Sequence, residues 1–409
     1  MNAGAIRCPT LLTGPRGGEP IGALDLDAAG LLTDAVLAWR DGVVTFAGPA
    51  ARFYPAREGF PEPMRVQGAV VPGFVDCHTH LPFRGWRSEE FEARLAGLTY
   101  RDLHGGGGIF RSARLLAEAS DDDVIAFCLP LAGEMLAHGT TAVELKTGYG
   151  LSIDRELRQA RLARRLASKI PQTATVTLLA CHAVPSDRAR EDWVEEVCER
   201  LIPEAAGEEL ADAVDVYVED IAFSVEDLES VAEAAARHGL ALRCHADQLG
   251  PSGAAEAAVR LGARGADHLN HLSRSGVEAL GRRGTVAVLL PVSTLFLHAK
   301  PPPVEDLIAA GAALAVATDF NPGTSPCLSV PEALSVGASL YGLSPLAGMV
   351  AGTHNAAWVL GLQGRHGSLQ PGARADFVVL DALDPAMVAY RPGHNPVRET
   401  WIGGERAHS

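Results

Sequence analysis

Eight short apolar runs, each followed by a stretch of helical periodicity, fill the middle of this chain and leave it few ways to fold. They are AVVPGFVDCH, TTAVELKT, ATVTLLACH, AVDVYVE, LALRCHA, ARGADHL, TVAVLLP and AALAVATD, starting at residues 69, 140, 174, 213, 240, 263, 285 and 312. Strands buried on both faces read as continuous apolar runs rather than alternating ones, and they need a crossover helix to stay parallel. The segments between the runs supply such helices. Ser224-x-x-Asp227 forms a capping box ahead of Leu228, Val231, Ala232 and Ala235, and Gly239 stands where that helix must stop. Eight strand–helix units predict an α/β fold, a closed (β/α)8 barrel of the TIM type. A doubly wound open sheet competes, but no glycine fingerprint for a dinucleotide follows any of the runs.

The two ends differ from the middle. Asp41-Gly42, set between Val36–Ala38 and Val43–Phe46, is a hairpin signal, and the last fifty residues alternate short strands with Gly-Pro turns. Residues 1–70 and 361–409 are therefore expected to build one small β-sandwich from both termini, with the barrel over 71–360. A composition of 47% hydrophobic and 21% charged residues is that of an ordinary globular protein. The net charge of −15 repels a phosphate backbone and argues against nucleic-acid binding. No run approaches the roughly 20 apolar residues of a membrane span. Seven scattered cysteines form no CxxC pair, and the first twenty residues carry no apolar leader, so a cytoplasmic protein is expected.

In a barrel of this kind chemistry sits at the carboxyl ends of the strands. The first run ends in His78-Thr79-His80, whose imidazoles share one side of a strand; the fifth ends in His245, the sixth in His268 and the eighth in Asp319. Any one of these alone is more simply a buried histidine or a helix cap. Four strand ends with metal-type ligands in one barrel point to a zinc or non-haem iron site with an open position for water. Such an ion lowers the pKa of its water, which makes this a hydrolase site.

PGFVDCHTH, CHADQ, ADHL and ATDFNPGTSP, together with the stretch Glu144 to Leu151 (ELKTGYGL), resemble the amidohydrolase superfamily and within it the imidazolonepropionase family. The resemblance runs through almost the whole chain. It implies opening of the ring of 4-imidazolone-5-propionate to N-formimino-L-glutamate, the third step of histidine degradation. It implies one zinc or iron ion per subunit, held at the positions of His78, His80, His245 and Asp319. It places Arg87, Tyr149, His182, Gln248, Asn321, Gly323 and Thr324 around the substrate, Arg87 on the propionate carboxylate. Asp319 is the expected proton carrier and His268 the expected oxyanion partner, with Gln248 on the ring amide; the alternative makes His268 the base. The partner is a small molecule, and a homodimer is open.

Other features invite plainer readings. Gly105 to Gly108 lacks the Lys-Ser/Thr of a phosphate loop and reads as a loop near the site. Lys146 is expected in a structural ion pair with Glu144 or another barrel residue. Gln248 lies one helical turn past His245 if a helix begins there, and Arg84 and Trp86 are expected at the pocket mouth. The runner-up is another mononuclear amidohydrolase acting on a related cyclic amide or amino-heterocycle. Ring deaminases want a glutamate where Gln248 stands, because an amide cannot carry a ring proton. Dinuclear relatives want a lysine at the end of strand four, where this chain has Val218-Glu219-Asp220; Glu219 as a bridge to a second ion is disfavoured, since the resemblance implies one ion. A non-catalytic relative is the alternative of another class, and it is disfavoured because all the ligand-type residues are present.

Overall fold

The computed structural model describes residues 3–99, 102, 107–282 and 284–409. The eight expected runs form strands Phe74–Asp76, Thr140–Lys146, Thr173–Cys181, Ala213–Val218, Ala241–Ala246, Gly265–His268, Val286–Leu289 and Leu314–Val316. They pair in sequence order as one parallel sheet. The seam between the first and last strands is closed by a buried carboxyl. Asp76 accepts hydrogen bonds from Thr318 N at 3.1 Å and Thr318 Oγ1 at 2.7 Å, and just beyond, His80 N donates to Phe320 O at 2.9 Å. The helices pack their apolar faces on this barrel. The one over Val225–Arg237 has its capping box in place, Ser224 accepting from Asp227 N and Asp227 from Ser224 N.

The first apolar run is divided between two sheets. Val70–Pro72 belongs to the terminal sheet and Phe74–Asp76 to the barrel, with Gly73 between them. A Cβ at Gly73 would lie 2.2 Å from Thr141 Oγ1, so nothing larger than glycine lets the chain cross from one sheet to the other. In the terminal sheet the order is Glu405–His408, Val397–Ile402, Phe377–Leu380, Val70–Pro72, Ala3–Leu12, Leu31–Arg40 and Val43–Pro49, with Met64–Arg65 beside Ala3–Leu12. Hydrogen bonding makes this one continuous sheet rather than two stacked ones. It curls: Trp39 and Trp401 stand four strands apart, about 19 Å on a flat sheet, yet their rings are 5.9 Å apart with Phe377 stacked on Trp401. Asp41 and Gly42, both at positive φ, make the expected hairpin turn.

Of the glycine run, Gly105 and Gly106 lie outside the described residues, while Gly107 and Gly108 lead into the helix Gly108–Glu118. Among the described residues no helix is long and apolar enough to cross a membrane.

Replacing Ser224 by alanine removes one half of the capping box and should cost about 1 kcal/mol. Urea denaturation should show the midpoint shift, with catalytic activity at 25 °C unchanged.

Candidate active site

Four strand ends converge at the carboxyl face. The rings of His78 and His245 are 4.6 Å apart, those of His78 and His80 5.3 Å, and those of His245 and His268 5.3 Å. Asp319 Oδ1 lies 3.4 Å from His78 Nε2 and 3.3 Å from His80 Nε2. Donor atoms of His78, His80 and His245 fall within 4.8 Å of one another, as do those of His78, His268 and Asp319. Two observations fit these residues to a cation. The Nε2 atoms of His78 and His245 are buried with no hydrogen-bond partner, a costly state for a nitrogen lone pair unless something accepts it. His78 Nδ1 meets Asp267 Oδ2 at 2.7 Å, which places its proton on Nδ1 and leaves Nε2 as the donor to a metal.

Beneath the histidines lies a fully buried charge cluster. Arg243 donates to Glu144 Oε1 at 3.0 Å and to Asp267 Oδ2 at 2.7 Å; Lys146 Nζ reaches Asp215 Oδ2 at 2.7 Å and Glu144 Oε2 at 2.9 Å. Asp215 Oδ2 in turn lies 3.0 Å from His245 Nδ1. Burial would push the Asp215 carboxyl up, but His245, Lys146 and Arg243 outweigh it and hold it well below its usual range. Lys146 is thus in a structural ion pair, as its position suggested. Asp215, Asp267 and Arg243 escaped notice in the sequence, although a charge inside an apolar strand, two residues before His245 in the case of Arg243, is the signal that finds them.

The backbone turns sharply where these side chains are presented. Asp247, His268, Leu269 and Asp319 all have φ between 52° and 77°, a left-handed conformation that non-glycine residues rarely adopt. Burial drives the His268 imidazole down to about 3, so it is neutral. Burial would raise Asp319, but the hydrogen bonds from His80 and Ser293 help to hold its carboxyl below the ordinary value.

Arg87, Tyr149, His182, Gln248, Asn321 and Thr324 line the same small pocket as His80, His245, His268 and Asp319. Arg87 is 4% exposed; its Nη1 meets Ser112 Oγ at 3.3 Å, and its charge faces Glu90 at 3.5 Å. Its guanidinium lies flat on Gly323, where a Cβ would sit 2.1 Å from Nη2. Gly323 therefore acts by making room for the arginine. The N–H groups of Gly323 and Thr324 and the Thr324 hydroxyl all donate to Asn321 Oδ1, so these donors shape the loop. Tyr149 N donates to Gln159 Oε1, and Glu156 gathers the N–H groups of Gly148, Gly150 and Leu151, fixing the loop that carries the tyrosine. His182 Nδ1 lies 3.2 Å from Gly148 O, and its ring stacks on His80 at 5.2 Å.

Two expectations change. No helix begins after His245: Gln248 sits in a bend, and the next helix starts at Ala254. Arg84 and Trp86 do not form the mouth. Arg84 stacks on Phe127, and Trp86 packs against Phe83, Phe127 and Phe320. Glu219, the disfavoured candidate for bridging a second ion, spends its Oε1 on Gln248 N and Leu249 N. A larger cavity of about 450 Å³ lies behind Trp86, between Leu131, Cys327 and Asn395. No metal-type set of donor atoms converges there among the described residues, so chemistry rather than size locates the site.

A parallel barrel with histidines and an aspartate gathered at its strand ends defines a class, and the sequence pattern of the amidohydrolase family matches residues 69–407. Solved structures share the fold: a zinc-bound adenosine deaminase from Xanthomonas campestris, TM-score 0.71 at 20% identity, covers 98% of this chain and 92% of its own. Guanine deaminase from E. coli, TM-score 0.72 at 16% identity, covers 99% of each. Relatives named imidazolonepropionase are far more similar in sequence. That of Rhizorhabdus wittichii is 41% identical over 91% of this chain and 95% of its own length, and that of Rubrobacter xylanophilus 42% over 93% and 92%. The chain belongs to the imidazolonepropionase family of amidohydrolases.

Replacing His245 by alanine should abolish tight metal binding, read as metal per subunit by elemental analysis; full retention would remove His245 from the ligand set. Replacing Arg243 by methionine strips Asp267 of its nearest cation and leaves Glu144 to Lys146 alone, and should cost about 3–5 kcal/mol of stability, read from thermal and urea unfolding.

Proposed function

We propose that this protein hydrolyses 4-imidazolone-5-propionate to N-formimino-L-glutamate in the cytoplasmic degradation of histidine. The observation that carries the reading is the pairing, in one pocket, of a metal-type donor set with the buried guanidinium of Arg87. A cyclic amide with a short anionic arm uses both, and the relatives' shared name agrees with it.

His78, His80, His245 and Asp319 would hold one zinc or iron ion, which polarises the carbonyl and lowers the pKa of a water molecule when bound. Arg87 takes the propionate carboxylate in a charge-assisted pair, strong because the guanidinium is already desolvated. Gln248 can donate to and accept from the ring amide with its one side chain. Tyr149 and His182 close the pocket over the ring. Asp319, held ionised, takes a proton from the attacking water and returns it to the ring nitrogen as its bond to the carbonyl carbon breaks. The water oxygen stays on that carbon as the new carboxylate. His268, neutral at physiological pH, donates an N–H to the carbonyl oxygen as charge builds on it.

The direct test uses freshly generated 4-imidazolone-5-propionate, scoring protein-dependent formation of N-formimino-L-glutamate above spontaneous decay. A chelator-sensitive rate is expected. Metal-loaded protein with no rate would discard the substrate and send the search to other cyclic amides and amino-heterocycles. Arg87→Ala should raise KM by about a hundredfold, consistent with loss of a charged hydrogen-bonded pair worth about 3 kcal/mol, while leaving metal content intact. An unchanged KM would remove the carboxylate role.

A further inference from the structure

Gln248 enters the pocket from a bend that no helix or strand supports. Its far side is tied by Asp247, whose carboxylate accepts from Ser252 N at 2.7 Å, Gly253 N at 3.1 Å and Ala255 N at 3.2 Å. Its near side hangs on a residue from another strand. Glu219, just past the end of strand four, accepts from Gln248 N at 2.6 Å and from Leu249 N at 2.8 Å, both through Oε1.

Glu219 is 4% exposed, and among the described residues no lysine or arginine pairs with it. Burial lifts its carboxyl to about 7, helped by Asp247 and Asp220 and opposed by the two N–H groups. An acid buried without a counter-ion is destabilising in itself. Here its bonds go to the backbone of the residue whose side chain faces the ring.

We infer that Glu219 is a positioning residue for Gln248: by holding two successive N–H groups it fixes the backbone from which the carboxamide enters the pocket, and so sets the fit to the substrate amide. This rests on the proposed role of Gln248. A placement error of about 1 Å, even from a group remote from the chemistry, is enough to lower a rate greatly. The same clamp explains how a bend, normally the most mobile kind of segment, can present a substrate contact.

The test compares Glu219→Ala, Glu219→Gln, Gln248→Ala and the double variant Glu219→Ala/Gln248→Ala, all in metal-loaded enzyme. Glu219→Ala should raise KM about tenfold, the scale of one lost charge-assisted hydrogen bond, with metal content unchanged. Glu219→Gln keeps an acceptor oxygen in the same place and should stay within about threefold of the parent. The double variant should be no worse than Gln248→Ala alone, since a clamp has no function without what it holds. Hydrogen exchange of the amides over residues 247–253 should quicken in Glu219→Ala and not in Glu219→Gln. Additive penalties in the double variant, or unchanged exchange in Glu219→Ala, overturn the assignment. If the parent does not turn over 4-imidazolone-5-propionate, the functional reading fails, and the exchange measurement still decides the clamp.

Discussion

The site rests on charges that never meet water. Lys146 and Arg243 project into the barrel from the second and fifth strands and pair with Glu144, Asp215 and Asp267 within it. Without the cations three carboxyl groups would be buried with no positive partner, which is strongly destabilising. Without the carboxylates, His78 and His245 would have nothing to set which ring nitrogen carries the proton. The barrel thus stacks its functions in layers: apolar packing outside, a paired ionic layer within, and above it the histidines whose free nitrogens face the pocket.

A second device recurs around the rim, where one buried acceptor gathers several backbone N–H groups from a loop. Glu156 does so for the loop of Tyr149, Asn321 for the loop after strand eight, Asp247 and Glu219 for the bend of Gln248. Loops have few bonds of their own, and each such acceptor supplies two or three at the cost of burying one polar group.

How much of this could be read in advance follows from what pattern carries. The barrel strands were legible because burial on both faces leaves a continuous apolar run, and the histidines and Asp319 because they stand at the ends of those runs, whereas Arg87, Tyr149, Gln248, Asn321 and Thr324 followed only from the family resemblance. The division of the first run at Gly73 was not legible, since the terminal sheet and the barrel ask for the same apolar residues on either side of it. The bend at Gln248 was missed because Asp247 and Glu219 act on backbone atoms, which leave no periodic trace. Arg84 and Trp86 follow the first metal-type ligands closely in sequence, yet an aromatic cluster around Phe83 and Phe127 draws them aside. Proximity along the chain said nothing of direction in space.

The strand Val70–Pro72 lies between Ala3–Leu12 and Phe377–Leu380. During synthesis its first neighbour is available at once, and its second only after some three hundred further residues have been made. Through most of translation the growing chain therefore displays the open edge of a hydrophobic sheet, and the Asp76 seam likewise waits for Thr318. Such an edge is a site for pairing with other nascent chains. The architecture that ties both termini into one rigid base places the period of greatest aggregation risk before release from the ribosome.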